Sequence, residues 1–82
     1  MPIVIHGAPI SPFVRKVRIA LAEKGIAYEL RPALPRSEPL LRLNPLGKIP
    51  TLEEDGFAVG DSSVICDYLE RTRPQPAPFR HQ

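Results

Sequence analysis

The chain has 82 residues, 11 of them proline and only one cysteine, with a formal net charge of +2. That length allows a single domain, and the lone cysteine excludes a disulfide scaffold and a Cys-rich zinc module. The small charge excludes a nucleic-acid footprint, while 43% hydrophobic and 24% charged residues give a globular balance rather than a disordered one.

Ile3-Val4-Ile5-His6 is an apolar run closed by Gly7, the length of a buried strand and too short for a membrane span or a signal-peptide core. With no leader and no disulfide, the expected setting is reducing and cytoplasmic. Gly7 to Pro12 reads as a turn-rich loop. Phe13, Val17, Ala20 and Leu21 then recur as one apolar helical stripe, with Ser11 placed as N-cap and Pro12 as first helical residue. Lys24 and Gly25 close this helix. Ile26 to Leu30 reads as a second strand, so the first segment is a βαβ unit with parallel strands.

Pro32, Pro35 and Pro39 interrupt the next segment, leaving room in 32–43 for at most a short helical turn around Leu40-Leu41-Arg42-Leu43. Pro45 to Pro50 is a loop. Thr51-Leu52-Glu53 and Phe57-Ala58-Val59 form a hairpin about the Asp55-Gly56 turn. Asp61 or Ser62 caps a last helix that runs through Arg71, with Val64, Ile65, Tyr68 and Leu69 on one face. Pro74-Gln75-Pro76-Ala77-Pro78 alternates like an extended linker. The order β-α-β, irregular segment, β-β-α predicts a thioredoxin-like α/β domain over residues 1–72. It is a four-stranded mixed sheet with helices on both faces, followed by a Pro-rich linker over 73–82.

A helix N-terminus delivered by a loop after a strand favours negative charge. Here that point carries Ser11-Pro12-Phe13-Val14. Redox members of this fold carry Cys-X-X-Cys there, and neither Ser11 nor Val14 has sulfur. Exchange through the protein's own dithiol is excluded, and holding another molecule's thiolate remains possible.

Three blocks carry a family resemblance. Residues 11–29 (Ser-Pro-Phe-Val-Arg-Lys-Val-Arg-Ile-Ala-Leu-Ala-Glu-Lys-Gly-Ile-Ala-Tyr-Glu), residues 44–52 (Asn-Pro-Leu-Gly-Lys-Ile-Pro-Thr-Leu) and residues 61–69 (Asp-Ser-Ser-Val-Ile-Cys-Asp-Tyr-Leu) resemble the amino-terminal domain of cytosolic glutathione transferases. The likeness is to the serine-type branches (tau, theta, zeta) and bacterial members. It implies that Ser11 donates a hydrogen bond to the sulfur of glutathione, the co-substrate. It also implies a cis Ile49–Pro50 bond, with the backbone of Ile49 pairing to the ligand. Lys48 would lie near a ligand carboxylate. Asp61 would answer the γ-glutamyl ammonium, and Ser62 its carboxylate. Asp61 stands where glutamate is commoner, so that contact needs a closer ligand or a water.

Each residue also has a plainer reading. Ser11, Asp61 and Ser62 could serve as helix caps, Lys48 could be solvated, and Pro50 could be an ordinary trans proline. Cys66 reads as a small buried hydrophobe and His6 as structural. Arg15, Lys16 and Arg18 form a basic run that is solvated, docks a second domain or attracts an anionic peptide. The implied partners are glutathione and a small electrophile, with no metal, nucleic acid or membrane, and the parent is expected to be a homodimer. By the same resemblance the chain is the amino-terminal part of a longer protein whose all-helical second domain holds most of the electrophile pocket. The alternative is a non-catalytic interaction module, as in the starvation-response and translation-factor relatives.

Overall fold

The computed structural model describes residues 2–74. Its elements are β1 (Ile3–His6), α1 (Pro12–Glu23), β2 (Tyr28–Arg31), α2 (Glu38–Leu43), β3 (Thr51–Glu54), β4 (Phe57–Gly60) and α3 (Ser62–Thr72). The four strands form one sheet in the order β2-β1-β3-β4. Strands β1 and β2 are parallel, whereas β1–β3 and β3–β4 are antiparallel. This is the expected mixed sheet.

Strand β1 is central and buried along its whole length, and its side chains alternate between the two faces. Ile3, Ile5 and Leu52 turn into the main core. There they meet Val14, Val17, Ala20 and Leu21 of α1 and Ile65, Cys66 and Leu69 of α3. Each fully buried Leu or Ile contributes about 1.5–3 kcal/mol of transfer free energy. On the opposite face, His6 shares a depression with Leu40 of α2, so helices cover both faces.

The apolar stripe of α1 differs from expectation at its first turn. Val14 is fully buried and Phe13 is 61% exposed. The reason is space, because Val14 fills the gap opposite Gly7, where even a Cβ would meet its Cγ2 at 2.5 Å. A phenyl ring would not fit. In α3, Val64 lies outside the buried face, which runs through Ser62, Ile65, Cys66 and Leu69.

Strand β2 begins later than the apolar pattern suggests. Gly25, at φ +67°, donates its N–H to Ala22 O at 3.1 Å, and Ile26 donates to Leu21 O at 3.0 Å. This pair of bonds is a Schellman closure of α1, and it takes the Ile26 N–H away from any ladder. The Pro-interrupted segment holds a six-residue helix, with Pro39 tolerated in its first turn. The Asp55-Gly56 turn has φ +54° and +76°, the positive pair that a two-residue type I′ hairpin needs.

The end of the sheet away from His6 is tied by charge. Glu54 accepts from Tyr68 Oη at 2.8 Å and from Arg73 Nη2 at 2.5 Å. Burial pushes the Glu54 carboxyl up, but the Arg73 and Tyr68 bonds and the Arg73 charge outweigh it and hold it below the usual range. Lys24 Nζ donates to Arg73 O at 2.5 Å and pairs with Glu70 at 3.5 Å. Packing therefore extends to Arg73. The expected extended linker falls on residues 73–82, and 75–82 lie outside the described residues.

Candidate functional site

Three segments converge where β1 ends, β3 begins and β4 ends. The first is the start of α1. Ser11 is its N-cap, half-buried, and its Oγ accepts from Val14 N at 3.3 Å. A hydroxyl has one donor and two acceptor positions, so this bond leaves the Ser11 O–H free to donate outward. Capping and donation are compatible.

The second segment is the turn into β3. The Ile49–Pro50 bond is cis, with Pro50 fully buried and Ile49 half-buried. A Cβ on Gly7 would stand 3.5 Å from Ile49 Cβ and 3.7 Å from Pro50 Cα, besides its 2.5 Å approach to Val14. The α1 start and the cis turn thus pass each other at a position that only glycine fills. Lys48 is exposed on the same turn and has no ion-pair partner among the described residues. With Pro35, Arg36, Leu46, Gly47 and Ile49 it lines a depression of about 290 Å³.

The third segment is the start of α3. Thr51 faces Gly60 in the β3–β4 ladder, which places Asp61 and Ser62 directly beyond the cis turn. Asp61 is the N-cap at φ +75°, an uncommon conformation for a non-glycine residue. Its Oδ1 accepts from Ser63 N at 2.8 Å and Val64 N at 3.4 Å, and its Oδ2 has no partner among the described residues. Ser62 is buried at the first helical position. The helix starts of α1 and α3 are neighbours, since Lys16 Nζ reaches Ser63 Oγ at 3.5 Å.

The other candidates lie elsewhere or, like His6 at the end of β1, are committed to contacts within the domain. His6 pairs with Glu53 at 2.9 Å, a structural contact. Arg18 donates to Tyr28 Oη at 2.9 Å, so the basic run is partly committed within the domain. A shallow depression on the outer face of α1, lined by Arg15, Arg18, Ile19, Ala22 and Tyr28, holds none of the candidate site residues. Cys66 is buried in the core, and that burial pushes its thiol up despite the nearby Lys16 charge. Among the described residues no cluster of three or more His, Cys, Asp or Glu could hold a metal ion, and no helix is long and apolar enough to cross a membrane.

Two features of this end join residues that no local pattern brings together. Arg36 has φ +64° and donates its N–H to Gly47 O at 2.7 Å, and it lines the same depression as Lys48. Asn44 bonds to both the 45–48 turn and Thr51. The signal for the second was its place at the head of the 44–52 block, where no role was attached to it. For Arg36 there was none, because its neighbour in space is remote in sequence.

Sheet order, the cis-proline turn and a hydroxyl cap where a dithiol could stand define a thioredoxin-like domain without its own redox pair. Residues 5–77 match the family model for the glutathione S-transferase N-terminal domain. The chain is 46% identical over 68 residues to a rat maleylacetoacetate isomerase, covering 74% of this chain and 32% of that protein. It is 42% identical over 66 residues to a stringent starvation protein A homolog of Pasteurella multocida, covering 78% and 31%. A solved Methylobacterium radiotolerans glutathione S-transferase, in complex with glutathione sulfonate, superposes with TM-score 0.85 at 42% identity. That match covers 93% of this chain and 37% of the solved one. The chain belongs to the glutathione S-transferase family through its N-terminal domain, and it spans about a third of the length of these relatives.

Proposed function

We propose that this domain binds glutathione and holds its sulfur as thiolate, as the glutathione-binding part of a glutathione transferase. The observation that carries the reading is the convergence of the Ser11 hydroxyl, the cis Ile49–Pro50 turn and the Asp61–Ser62 pair at one end of the sheet. The solved relative in complex with glutathione sulfonate supports it.

The chemistry follows from the groups present. Only the thiolate is a strong nucleophile. The Ser11 O–H, aimed at the sulfur from the positive end of α1, stabilises the anion and lowers the thiol pKa. The free main-chain groups of Ile49 pair with the cysteinyl unit as a short strand. Asp61 Oδ2 takes the γ-glutamyl ammonium, while the Ser62 hydroxyl and the start of α3 take its carboxylate. Lys48 faces the remaining carboxylate. The thiolate then attacks an electrophilic carbon. A C–S bond forms, and the leaving group departs with its electron pair or, in an addition, the adjacent atom takes a proton.

The likeness to a stringent starvation protein A homolog supports the second reading, an interaction module. Calorimetric titration with glutathione separates the two. The transferase reading predicts saturable binding competed by glutathione sulfonate and weakened by Asp61→Asn. Absence of binding by the full-length protein would favour the interaction module.

A further inference from the structure

We propose that Asn44 is a positioning residue that fixes the separation between the Lys48–Pro50 limb and the Asp61–Ser62 limb of the site. The inference rests on the glutathione reading above and goes beyond its contact residues.

Asn44 caps the C-terminus of α2, where its N–H donates to Leu40 O at 2.8 Å. From there it engages both limbs. Its Oδ1 accepts from Leu46 N at 3.1 Å, and its main-chain oxygen accepts from Gly47 N at 2.8 Å. These two bonds shape the turn that presents Lys48. Its Nδ2 donates to Thr51 Oγ1 at 3.2 Å, and Thr51 Oγ1 donates in turn to Lys48 O at 2.8 Å. The carbonyl preceding Ile49 is therefore held by a two-bond chain that begins at Asn44.

The same amide abuts the other limb. A Cβ on Gly60 would lie 2.5 Å from Asn44 Nδ2 and 3.5 Å from its Cγ. Gly60 is paired with Thr51 in the ladder and immediately precedes Asp61. The amide thus fits between the turn at 48–51 and the strand that delivers the acid-serine pair, with no slack on either side. A ligand that touches both limbs reads their separation, and misplacement by even ~1 Å weakens a positioned contact severely. Ser11 lies outside this network, because it is held by α1 and by the passage of Val14 against Gly7.

The division predicts a split result. Asn44→Asp keeps side-chain volume and the acceptor for Leu46 N, but it has no donor for Thr51. In the full-length protein, Asn44→Asp is expected to raise the Kd for glutathione about fivefold to tenfold, with no change in the pKa of the bound thiol. Thr51→Val should reproduce the effect, Thr51→Ser should leave Kd within about twofold of wild type, and the double variant Asn44→Asp/Thr51→Val should be no weaker than either single. These comparisons remain readable even if one variant folds poorly. A wild-type Kd in a folded Asn44→Asp variant would overturn the positioning role alone. So would a parallel shift of Kd and thiol pKa, since that marks general disruption. No glutathione binding by the wild-type protein would remove the reading itself, and this inference with it.

Discussion

Replacing Gly7 by alanine tests whether one close passage holds the site together. The added Cβ would stand 2.5 Å from Val14 Cγ2, whereas carbon atoms settle at about 3.5–4.0 Å. Something must therefore move by roughly 1 Å. Val14 is fully buried in the main core, and a close-packed interior yields little. The start of α1 or the Ile49–Pro50 turn, 3.5 Å away on the other side, must give way. Overpacking of this kind costs about 1–3 kcal/mol. Ser11 bonds to the Val14 N–H, so it moves with the helix start.

Urea unfolding of Gly7→Ala should show that loss with an unchanged denaturant slope, and glutathione binding should weaken by about tenfold or more. Gly25→Ala is the matched control. A Cβ there meets nothing within 4 Å, but φ is +67°, so stability should fall by about 1 kcal/mol with binding unchanged. A Gly7→Ala variant with wild-type stability and wild-type binding would refute the claim that this passage sets the site geometry.

Other outcomes follow from the same contacts. Leu52→Ala, at a fully buried sheet position, should cost about 2–5 kcal/mol in chemical denaturation. The Glu54 carboxyl lies below its usual range when folded, so its contribution to stability is complete above the unfolded carboxylate pKa. That contribution is lost as pH falls through the lower folded value. Glu54→Gln should flatten this acid limb in thermal melts collected across pH, and an unaltered limb would speak against the Arg73–Glu54 tie. The Cys66 thiol, buried and pushed up, should resist alkylation in the native protein and react on unfolding. Asp61→Asn keeps the Oδ1 acceptor that caps α3, so it should change stability by under about 0.5 kcal/mol while weakening glutathione binding.

Much of this architecture was legible in the residues because local rules and global fold agree. The Asp55-Gly56 hairpin and the Ser11-Pro12 helix start follow from short-range chemistry, and the chain order of elements implied a four-stranded mixed sheet. The failures came where tertiary contact overrode pattern. Phe13 satisfies the helical period, yet Val14 takes the buried place because its neighbour is Gly7. Ile26 has strand character, yet its N–H is taken by the closure of α1. The site was legible in part through local roles, since Ser11 and Asp61 are caps whichever ligand they meet. Asn44 and Arg36 were not, because their significance lies in Thr51, Gly60 and Gly47, contacts that a linear reading does not bring together.

The central claim is that Ser11 helps to hold a thiolate, and ultraviolet titration of bound glutathione against pH tests it most directly. The wild-type protein should ionise the bound thiol well below the ordinary thiol pKa of about 8.5. Ser11→Ala should move that ionisation back toward the free value while leaving the melting temperature within the shift expected for loss of one helix cap, about 1 kcal/mol. An identical titration curve for the wild-type and Ser11→Ala proteins would contradict the account.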